Sequence, residues 1–202
     1  MKLYHSPTTP FGRKVMVQLL ETGLKDRVEV VEATGTPLAP GSLPIGVNPL
    51  GKIPALVRDN GRVIYDSRVI CRYLDTLGDA GLYGSGEALW DVLTLEATAD
   101  GVLDAALLMT YEARLRPEAL RFPDWVEGQW AKIARALDVV ERDWSGFLSG
   151  PLTMAHVAMG CALPYIDFRH GARNWRDGRP RLAEWQAGFA QRPSMQATKP
   201  PV

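Results

Sequence analysis

Residues 48–67 read NPLGKIPALVRDNGRVIYDS, and this stretch predicts two short strands joined by a hairpin and followed by a helix. The first strand is the apolar run at residues 55–57, and the second covers residues 63–65. The DNG sequence at residues 59–61 is typical of a tight hairpin connection. Asp and Ser at residues 66–67 are residue types that commonly begin a helix. The stretch therefore predicts a ββα unit.

Pro54 stands immediately before the first of these strands. A proline cannot donate a hydrogen bond to a sheet, so it belongs at the first position of a strand or at a sheet edge. We therefore expect the backbone N–H and C=O of Ile53 to point away from any neighbouring strand. A cis Ile53-Pro54 bond would fix that orientation, whereas an ordinary trans proline that starts an edge strand is the alternative.

The residues before this unit predict a second supersecondary unit. Residues 2–5 predict a short strand. A helix is expected to follow, with Thr9 at its N-cap and Pro10 at its first position. Residues 28–31 predict the next strand, so the order is βαβ, which implies a parallel pair with a right-handed crossover. The proline- and glycine-rich residues 33–47 predict a loop or irregular helix that lines a site.

Beyond residue 77 the strand pattern disappears. Four helices are predicted, over residues 89–115, from 123 to about 144, from 153 onward and over 180–191, and the chain from Pro193 is expected to be extended. Glycines in residues 78–86 are typical of a linker. We therefore predict an α/β domain at residues 1–77, a linker at 78–86 and an all-helical domain at 87–202.

Composition excludes several classes of protein. The chain has 202 residues, enough for one large or two small domains, and its formal net charge is zero. A balanced charge argues against a nucleic-acid-binding protein, which needs a basic face. The N-terminal residues lack the apolar stretch of a signal peptide, and no run approaches the roughly 20 apolar residues of a membrane span. A cytoplasmic location is expected.

The cysteines and histidines suggest no redox or metal site. Cys71 and Cys161 are the two cysteines, and no CxxC motif exists to support dithiol chemistry. His5, His156 and His170 lie far apart and lack a second ligand at zinc-like spacing. We expect no metal cofactor.

NPLGKIPAL, followed about ten residues later by YDS, resembles the glutathione-site segment of the cytosolic glutathione transferases. SPTTPFGRKV at residues 6–15 is similar to a segment of the bacterial serine/threonine-type members, and TADGVLDAALLMTYEARLRPE and LTMAHVAMGCALPYIDFR resemble two of their helices. The resemblance implies a thioredoxin-like N-terminal domain (βαβ-ββα) and an all-α C-terminal domain. It also implies glutathione as co-substrate, a small electrophile as its partner in the reaction and a two-fold homodimer.

The resemblance assigns a glutathione-binding role to six residues, each of which has an ordinary alternative. Ile53, before the cis Pro54, would hold the cysteinyl backbone of glutathione. Asp66 and Ser67 would hold its γ-glutamyl end, although both are also good helix caps. The remaining two are Lys52, for the glycyl carboxylate or as a solvated surface lysine, and Phe11, as a wall of the site or as a core aromatic.

Thr9 is the candidate catalytic residue. The pKa of a free cysteine-type thiol is about 8.5, and lowering it by about two units needs roughly 2.7 kcal/mol. A hydrogen bond to a charged acceptor supplies about 1.5–3 kcal/mol and a helix N-terminus about 0.3–1 kcal/mol. As N-cap, Thr9 would accept a backbone N–H and donate its O–H to the thiolate, or it would only cap the helix. Ser6 and Tyr4 are competing hydroxyls.

The second substrate and the reaction remain open to alternatives. Wall residues are expected on the first long helix, at Leu108, Met109, Tyr111 and Glu112, although apolar helix positions are more often core. The expected reaction is attack of glutathione thiolate on an electrophilic carbon. Glutathione-dependent isomerisation, dehalogenation or peroxide reduction would use the same thiolate, and a binding protein without turnover is the alternative outside enzymes. A Cys at position 9, which reductase chemistry would need, is absent.

The buried helix departs from the family pattern at its start. A Ser/Thr-x-x-Asp box is usual there, whereas this chain has Thr153-Met154-Ala155-His156. A histidine is not expected to reach back to the N-cap as a carboxylate does. We expect the loss of that half of the box to cost on the order of 1 kcal/mol.

Overall fold

Four strands form one mixed sheet in the computed structural model, which describes residues 1–201. They are β1 (Lys2–His5), β2 (Glu29–Glu32), β3 (Ala55–Val57) and β4 (Val63–Ile64), in the order β2-β1-β3-β4. β1 is parallel to β2 and antiparallel to β3, and β3 is antiparallel to β4. The βαβ-ββα prediction is confirmed, although β2 begins one residue later than expected.

Two helices accompany the sheet, α1 (Pro10–Glu21) and α2 (Ser67–Gly78). α1 ends just before Gly23, which has a φ of +68°, and the N–H of Leu24 returns to the carbonyl of Leu19 at 2.9 Å. The core of this part of the chain is aliphatic and includes the fully buried Leu3, Val15, Val17, Leu19, Leu56, Ile70 and Leu74.

The helical part of the chain begins with α3 (Glu87–Leu115) and α4 (Pro123–Val139). A π-helical turn (Val140–Trp144) follows, and then α5 (Ser145–Leu148), α6 (Met154–His170) and α7 (Pro180–Phe189). α6 packs along α3 and is buried over most of its length. The expectation of an all-helical second half is confirmed, with α4 ending in the π-helical turn where one continuous helix was predicted.

The chain divides into two compact units, residues 86–192 and residues 1–85 together with the segment that begins at Pro193. The tail was predicted to be extended and part of the helical domain, but Pro193–Ala197 form α8 and group with the first unit. Arg13 explains the difference, because its Nη2 donates to the carbonyl of Met195 at 3.1 Å. Val202, the last residue of the predicted helical domain, lies outside the described residues.

Most of the predicted linker also packs onto the first unit. The carboxylate of Asp75 accepts the N–H of Leu82 at 2.7 Å. The guanidinium of Arg72 lies 4.6 Å from the ring centroid of Tyr83, which is 1% exposed. The first unit therefore extends through Ser85.

The start of α6 differs from the expectation for its cap. His156 does reach back, because its Nδ1 accepts the backbone N–H of Thr153 at 3.2 Å. Burial lowers the pKa of His156, which keeps the imidazole neutral and its nitrogen able to accept. The predicted loss of this half of the cap is therefore wrong. Among the helices of residues 1–201, none has the length and hydropathy needed to cross a bilayer.

Candidate functional site

The sheet register brings three connections to one edge. β1 ends beside Ala55, the first residue of β3, and β4 runs antiparallel to β3, so it ends at the same edge. The connections at this edge carry Thr9, the Ile53-Pro54 pair and the Asp66-Ser67 pair. The sheet thus collects the segments that the sequence analysis singled out from separate parts of the chain.

Thr9 is the N-cap residue of α1, but its side chain makes no capping hydrogen bond. The prediction that its oxygen accepts a backbone N–H is therefore wrong. The methyl carbon Cγ2 faces the first turn instead, 2.7 Å from the point that a Cβ on Gly12 would occupy. Within residues 1–201 the Thr9 hydroxyl has no hydrogen-bond partner, so both its proton and its lone pairs are available to a ligand.

The two competing hydroxyls are placed differently. Ser6 is 6% exposed, and its oxygen lies 3.2 Å from the hydroxyl oxygen of Thr8, within hydrogen-bonding distance. Tyr4 lies on β1 and precedes the start of α1. Because Thr9 alone combines an unengaged hydroxyl with a helix N-terminus, it is the better placed of the three to meet an anion.

Asn48 fixes the segment that leads to Pro54. It is 1% exposed, its Nδ2 donates to the carbonyl of Lys52 at 2.8 Å, and its Oδ1 accepts the N–H of Leu50 at 3.0 Å. The Ile53-Pro54 bond is cis, as the resemblance implied. Neither the N–H nor the C=O of Ile53 bonds to another described residue, so both are free for a ligand.

The Asp66-Ser67 pair lies at the start of α2. One carboxylate oxygen of Asp66 accepts the N–H of Arg68 at 3.0 Å, which makes Asp66 the N-cap. The second oxygen lies 3.5 Å from Nη2 of Arg68, and the side chain is still 57% exposed, so this oxygen can be reached from solvent. Ser67 is 2% exposed, and its hydroxyl bonds to none of the described residues. Capping and ligand binding are therefore compatible at this position.

Comparison with known proteins supplies the family. The description "Glutathione S-transferase, N-terminal domain" matches residues 8–77, and "Glutathione S-transferase, C-terminal domain" matches residues 123–186. The uncharacterized GST-like protein YibF of Escherichia coli (strain K12) is 34% identical over 212 aligned positions, which cover 100% of this chain and 99% of YibF. This chain belongs to the glutathione S-transferase family.

Solved structures of the glutathione S-transferase family agree in fold over the full length. A family member from Pseudomonas fluorescens Pf-5 with bound glutathione is 46% identical and has a TM-score of 0.96, with 100% of this chain and 99% of that chain covered. A structure from the same organism with bound S-(propanoic acid)-glutathione is also 46% identical, has a TM-score of 0.92 and is covered completely. The thioredoxin-like and helical domains are thus confirmed.

The four predicted wall residues of this glutathione S-transferase lie on α3 in the helical unit. Leu108 is 42% exposed and Tyr111 is half-buried, so both offer surface. Met109 is only 3% exposed. The carboxylate of Glu112 accepts Arg116 Nε at 2.8 Å and the N–H of Phe122 at 2.9 Å, and these bonds lower its pKa. Met109 and Glu112 therefore belong to the packed interior of the unit and offer little surface to a substrate.

Phe11 and Lys52 are both exposed enough to contact a ligand, as their predicted roles require. Phe11 is half-buried in the first turn of α1, and Lys52 is exposed beside the cis peptide bond. Within residues 1–201, no group of three or more His, Cys, Asp or Glu side chains could hold a metal ion.

Sequence reasoning missed His5, Gly12 and Asn48. His5 is 8% exposed, and its Nδ1 is buried without a hydrogen-bond partner among the described residues. Burial lowers the pKa of His5 to about 4. Two signals could have found this group: a histidine in phase with the core residue Leu3, and a glycine inside the first turn of a helix.

Proposed function

We propose that this chain binds glutathione and activates its thiol for attack on a small electrophilic substrate. The observation that carries the proposal is the Thr9 hydroxyl, which has no partner among the described residues and stands at the N-terminus of a 12-residue helix. Glutathione is bound in the related Pseudomonas fluorescens structure, which is 46% identical to this chain. A free hydroxyl and a helix N-terminus both favour an anionic sulfur.

Each part of glutathione meets a suitable group at this edge of the sheet. The N–H and C=O of Ile53 would pair with the cysteinyl backbone, because neither group is used elsewhere. Asp66 would accept hydrogen bonds from the γ-glutamyl ammonium, while Ser67 and the N-terminus of α2 would bind its carboxylate. Lys52 would contact the glycyl carboxylate as a point charge.

The Thr9 hydroxyl is a sufficient source of thiol activation. A shift of about two units in the thiol pKa corresponds to about 2.7 kcal/mol. One charge-assisted hydrogen bond supplies about 1.5–3 kcal/mol, and the N-terminus of α1 adds about 0.3–1 kcal/mol. Because the Thr9 oxygen makes no capping hydrogen bond, the hydroxyl is available to the sulfur.

The test is the pKa of bound glutathione, read from the ultraviolet absorbance of its thiolate in Thr9→Ala and Thr9→Ser. Thr9→Ala should raise this pKa by about one to two units, because the charge-assisted bond is lost. Thr9→Ser keeps a hydroxyl but lacks the methyl, so it should raise the pKa less than Thr9→Ala does. Glutathione affinity, measured by calorimetry, should change little in either variant. An unchanged thiol pKa in Thr9→Ala would remove Thr9 from the reaction.

A non-catalytic binding protein is separated from an enzyme by turnover. The enzyme should conjugate glutathione to a nitro-substituted aryl chloride, and Thr9→Ala should lower that rate at neutral pH. Retention on immobilised glutathione without conjugation, isomerisation, dehalogenation or peroxide reduction would favour the binding protein. Leu108 and Tyr111 are the proposed wall residues for the second substrate, since both keep surface.

We also propose a two-fold homodimer and a cytoplasmic location. Closed two-fold dimers are the commonest assembly of protein chains with themselves. Light scattering on the purified chain would test the assembly, since a mass of about 22.3 kDa would indicate a monomer. Cell fractionation would test the location.

A further inference from the structure

His5 and Thr9 meet over Gly12. His5 Nδ1 lies 2.2 Å, and Thr9 Cγ2 lies 2.7 Å, from the single point that a Cβ on Gly12 would occupy. The imidazole ring and the threonine methyl therefore border the same small space, which glycine leaves open. Any larger residue at position 12 would displace both.

The His5 ring takes no part in the hydrogen bonding of the fold. It is 8% exposed, and its Nδ1 is buried without a partner among the described residues. Strand alternation explains its direction, because Leu3 and His5 are the buried positions of β1. A buried polar nitrogen without a partner costs stability, so the ring at this position is not explained by stability.

The contact decides where the Thr9 hydroxyl points. A β-branched side chain has few staggered positions for its two branches. Because the methyl occupies the position over Gly12, the oxygen cannot reach the first free N–H groups of α1, as the missing capping bond indicates. The hydroxyl is directed away from its own helix and stays free.

We propose that His5, together with Gly12, is a positioning residue for Thr9, and that its ring holds the Thr9 methyl over α1 so that the hydroxyl faces the sulfur of glutathione. The inference rests on the proposed function of Thr9. His5 acts by its shape and carries no proton in the reaction. In its absence the Thr9 side chain rotates, and its oxygen returns to the helix N–H groups as an ordinary N-cap.

The experiment compares the thiol pKa of bound glutathione in the wild-type chain, His5→Ala, Thr9→Ser and the double variant. His5→Ala should raise the pKa by about one unit, from about 6.5 to about 7.5, which is about a threefold loss of thiolate at pH 7. Serine has no methyl to hold, so His5→Ala should cause no further rise in the Thr9→Ser background. Equal rises in both backgrounds would overturn the proposal, because His5 would then act through the fold.

A third variant separates shape from chemistry. His5→Leu keeps a buried side chain of similar size without the imidazole nitrogens, and it should recover most of the thiolate that His5→Ala loses. The kcat for conjugation should follow the thiolate fraction, while the KM for glutathione should stay nearly constant. If His5→Leu behaves as His5→Ala does, a ring nitrogen is required and the packing account is wrong.

A measurement without glutathione keeps the inference distinct from the proposed function. Three-bond NMR couplings to the Thr9 methyl report its side-chain rotamer directly. The wild-type chain should show one rotamer, and His5→Ala should show the other or an average of the two. An averaged rotamer in the wild type would overturn the inference even if Thr9 activates the thiol. A fixed rotamer with an unchanged thiol pKa in Thr9→Ala would instead refute the proposed function.

Discussion

Glu141 caps a helix to which it does not belong, because its carboxylate accepts the backbone N–H of Leu182 at 2.7 Å. The same carboxylate accepts the N–H of Arg181 at 3.2 Å, so it serves the first turn of α7. The N-cap residue of α7 supplies no side-chain bond of its own. Burial opposes ionisation of Glu141, but the bonds from Leu182 and Arg181 outweigh it and lower the pKa of this carboxyl.

We expect Glu141→Gln to lower the free energy of unfolding by about 2–3 kcal/mol at neutral pH. The amide is isosteric but uncharged, so it loses the charge-assisted bonds and turns a donor toward one backbone N–H. The contribution of the wild-type carboxylate is present above its unfolded pKa of 4.5 and is lost as pH falls through its lower folded pKa. Urea titrations should therefore show the two proteins converging in acid.

Glu127 provides the matched control for this measurement. It forms a two-pronged contact with Arg173, but the carboxylate is exposed. Exposed ion pairs contribute little to stability, so Glu127→Gln should shift the urea midpoint far less than Glu141→Gln. Equal shifts in the two variants would contradict the capping role of Glu141.

Acid should destabilise the chain before its carboxyl groups titrate. Burial lowers the pKa values of His5, His156 and His170, and that of His5 falls from 6.5 to about 4. The unfolded chain takes up protons below about pH 6.5 while the folded chain does not, so stability is lost as pH falls through this window. His5 alone should account for about 1.5 kcal/mol between pH 6.5 and pH 5.

His5→Leu isolates that histidine's share of the pH dependence. Leucine cannot take up a proton in either state, so the urea midpoint of the variant should fall less steeply between about pH 6.5 and pH 5. The slope is the readout, because the substitution also changes packing at every pH. An unchanged slope would mean that His5 is protonated equally in the folded and unfolded chains.

Local patterns predicted most of the fold. The hairpin residues 59–61, the strand at residues 55–57 and the glycine that ends α1 act through their own backbone preferences, so the sequence identifies them directly. The cis proline and the residues of the proposed glutathione site came from a motif whose parts the sheet register brings to one edge. These elements depend on few distant residues, which is why the sequence predicts them.

The features that the sequence did not predict depend on contacts with residues elsewhere in the chain. Thr9 was expected to cap α1, and only the packing of His5 over Gly12 shows why its methyl takes that place. Arg13 on α1 is 5% exposed and bonds to residues more than 180 positions away. No periodicity in the sequence encodes contacts over that separation.

Gly160 in α6 should not tolerate substitution even by alanine. An added Cβ would lie 2.3 Å from Cε1 of Phe189, whose ring stacks on Trp185 with centroids 5.0 Å apart. We expect Gly160→Ala to lower the free energy of unfolding by about 1–3 kcal/mol through overpacking. Gly101→Ala on α3 is the control, because its Cβ would meet nothing within 4 Å. There the better helix propensity of alanine should raise stability by about 0.5–1 kcal/mol. Thermal unfolding checks both, and a stabilised Gly160→Ala would contradict the contact.

Arg13 should control the docking of the C-terminal segment. Its Nη2 donates to the carbonyl of Met195 at 3.1 Å, and its Nε donates to the hydroxyl of Thr198 at 3.3 Å. Arg13→Lys keeps the charge but loses the planar fork, so hydrogen exchange in α8 should accelerate about tenfold or more. Arg142→Ala, at an exposed pair with Asp143, should leave exchange in α8 unchanged. Unaltered protection in Arg13→Lys would show that other contacts hold the segment.

His156 combines two roles at the start of α6. Its Nδ1 accepts the N–H of Thr153 at 3.2 Å and lies 2.8 Å from the hydroxyl oxygen of the same residue. Its ring also stacks on Phe147, with centroids 5.5 Å apart and an interplanar angle of 28°, and approaches Trp185 at 6.2 Å. A carboxylate at this position would supply the first role but not the second.

Comparing His156→Asp with His156→Ala therefore separates the cap from the stack. Aspartate restores a carboxylate opposite the Thr153 N–H but removes the ring, so we expect it to be less stable than the wild type by about 1–3 kcal/mol. Alanine loses both roles and should cost about 2–4 kcal/mol. The two variants should differ by about 1 kcal/mol in their free energy of unfolding, measured by urea denaturation at neutral pH. This difference is the contribution of the cap. If His156→Asp were more stable than the wild type, the ring would contribute nothing and a carboxylate would be the better residue here.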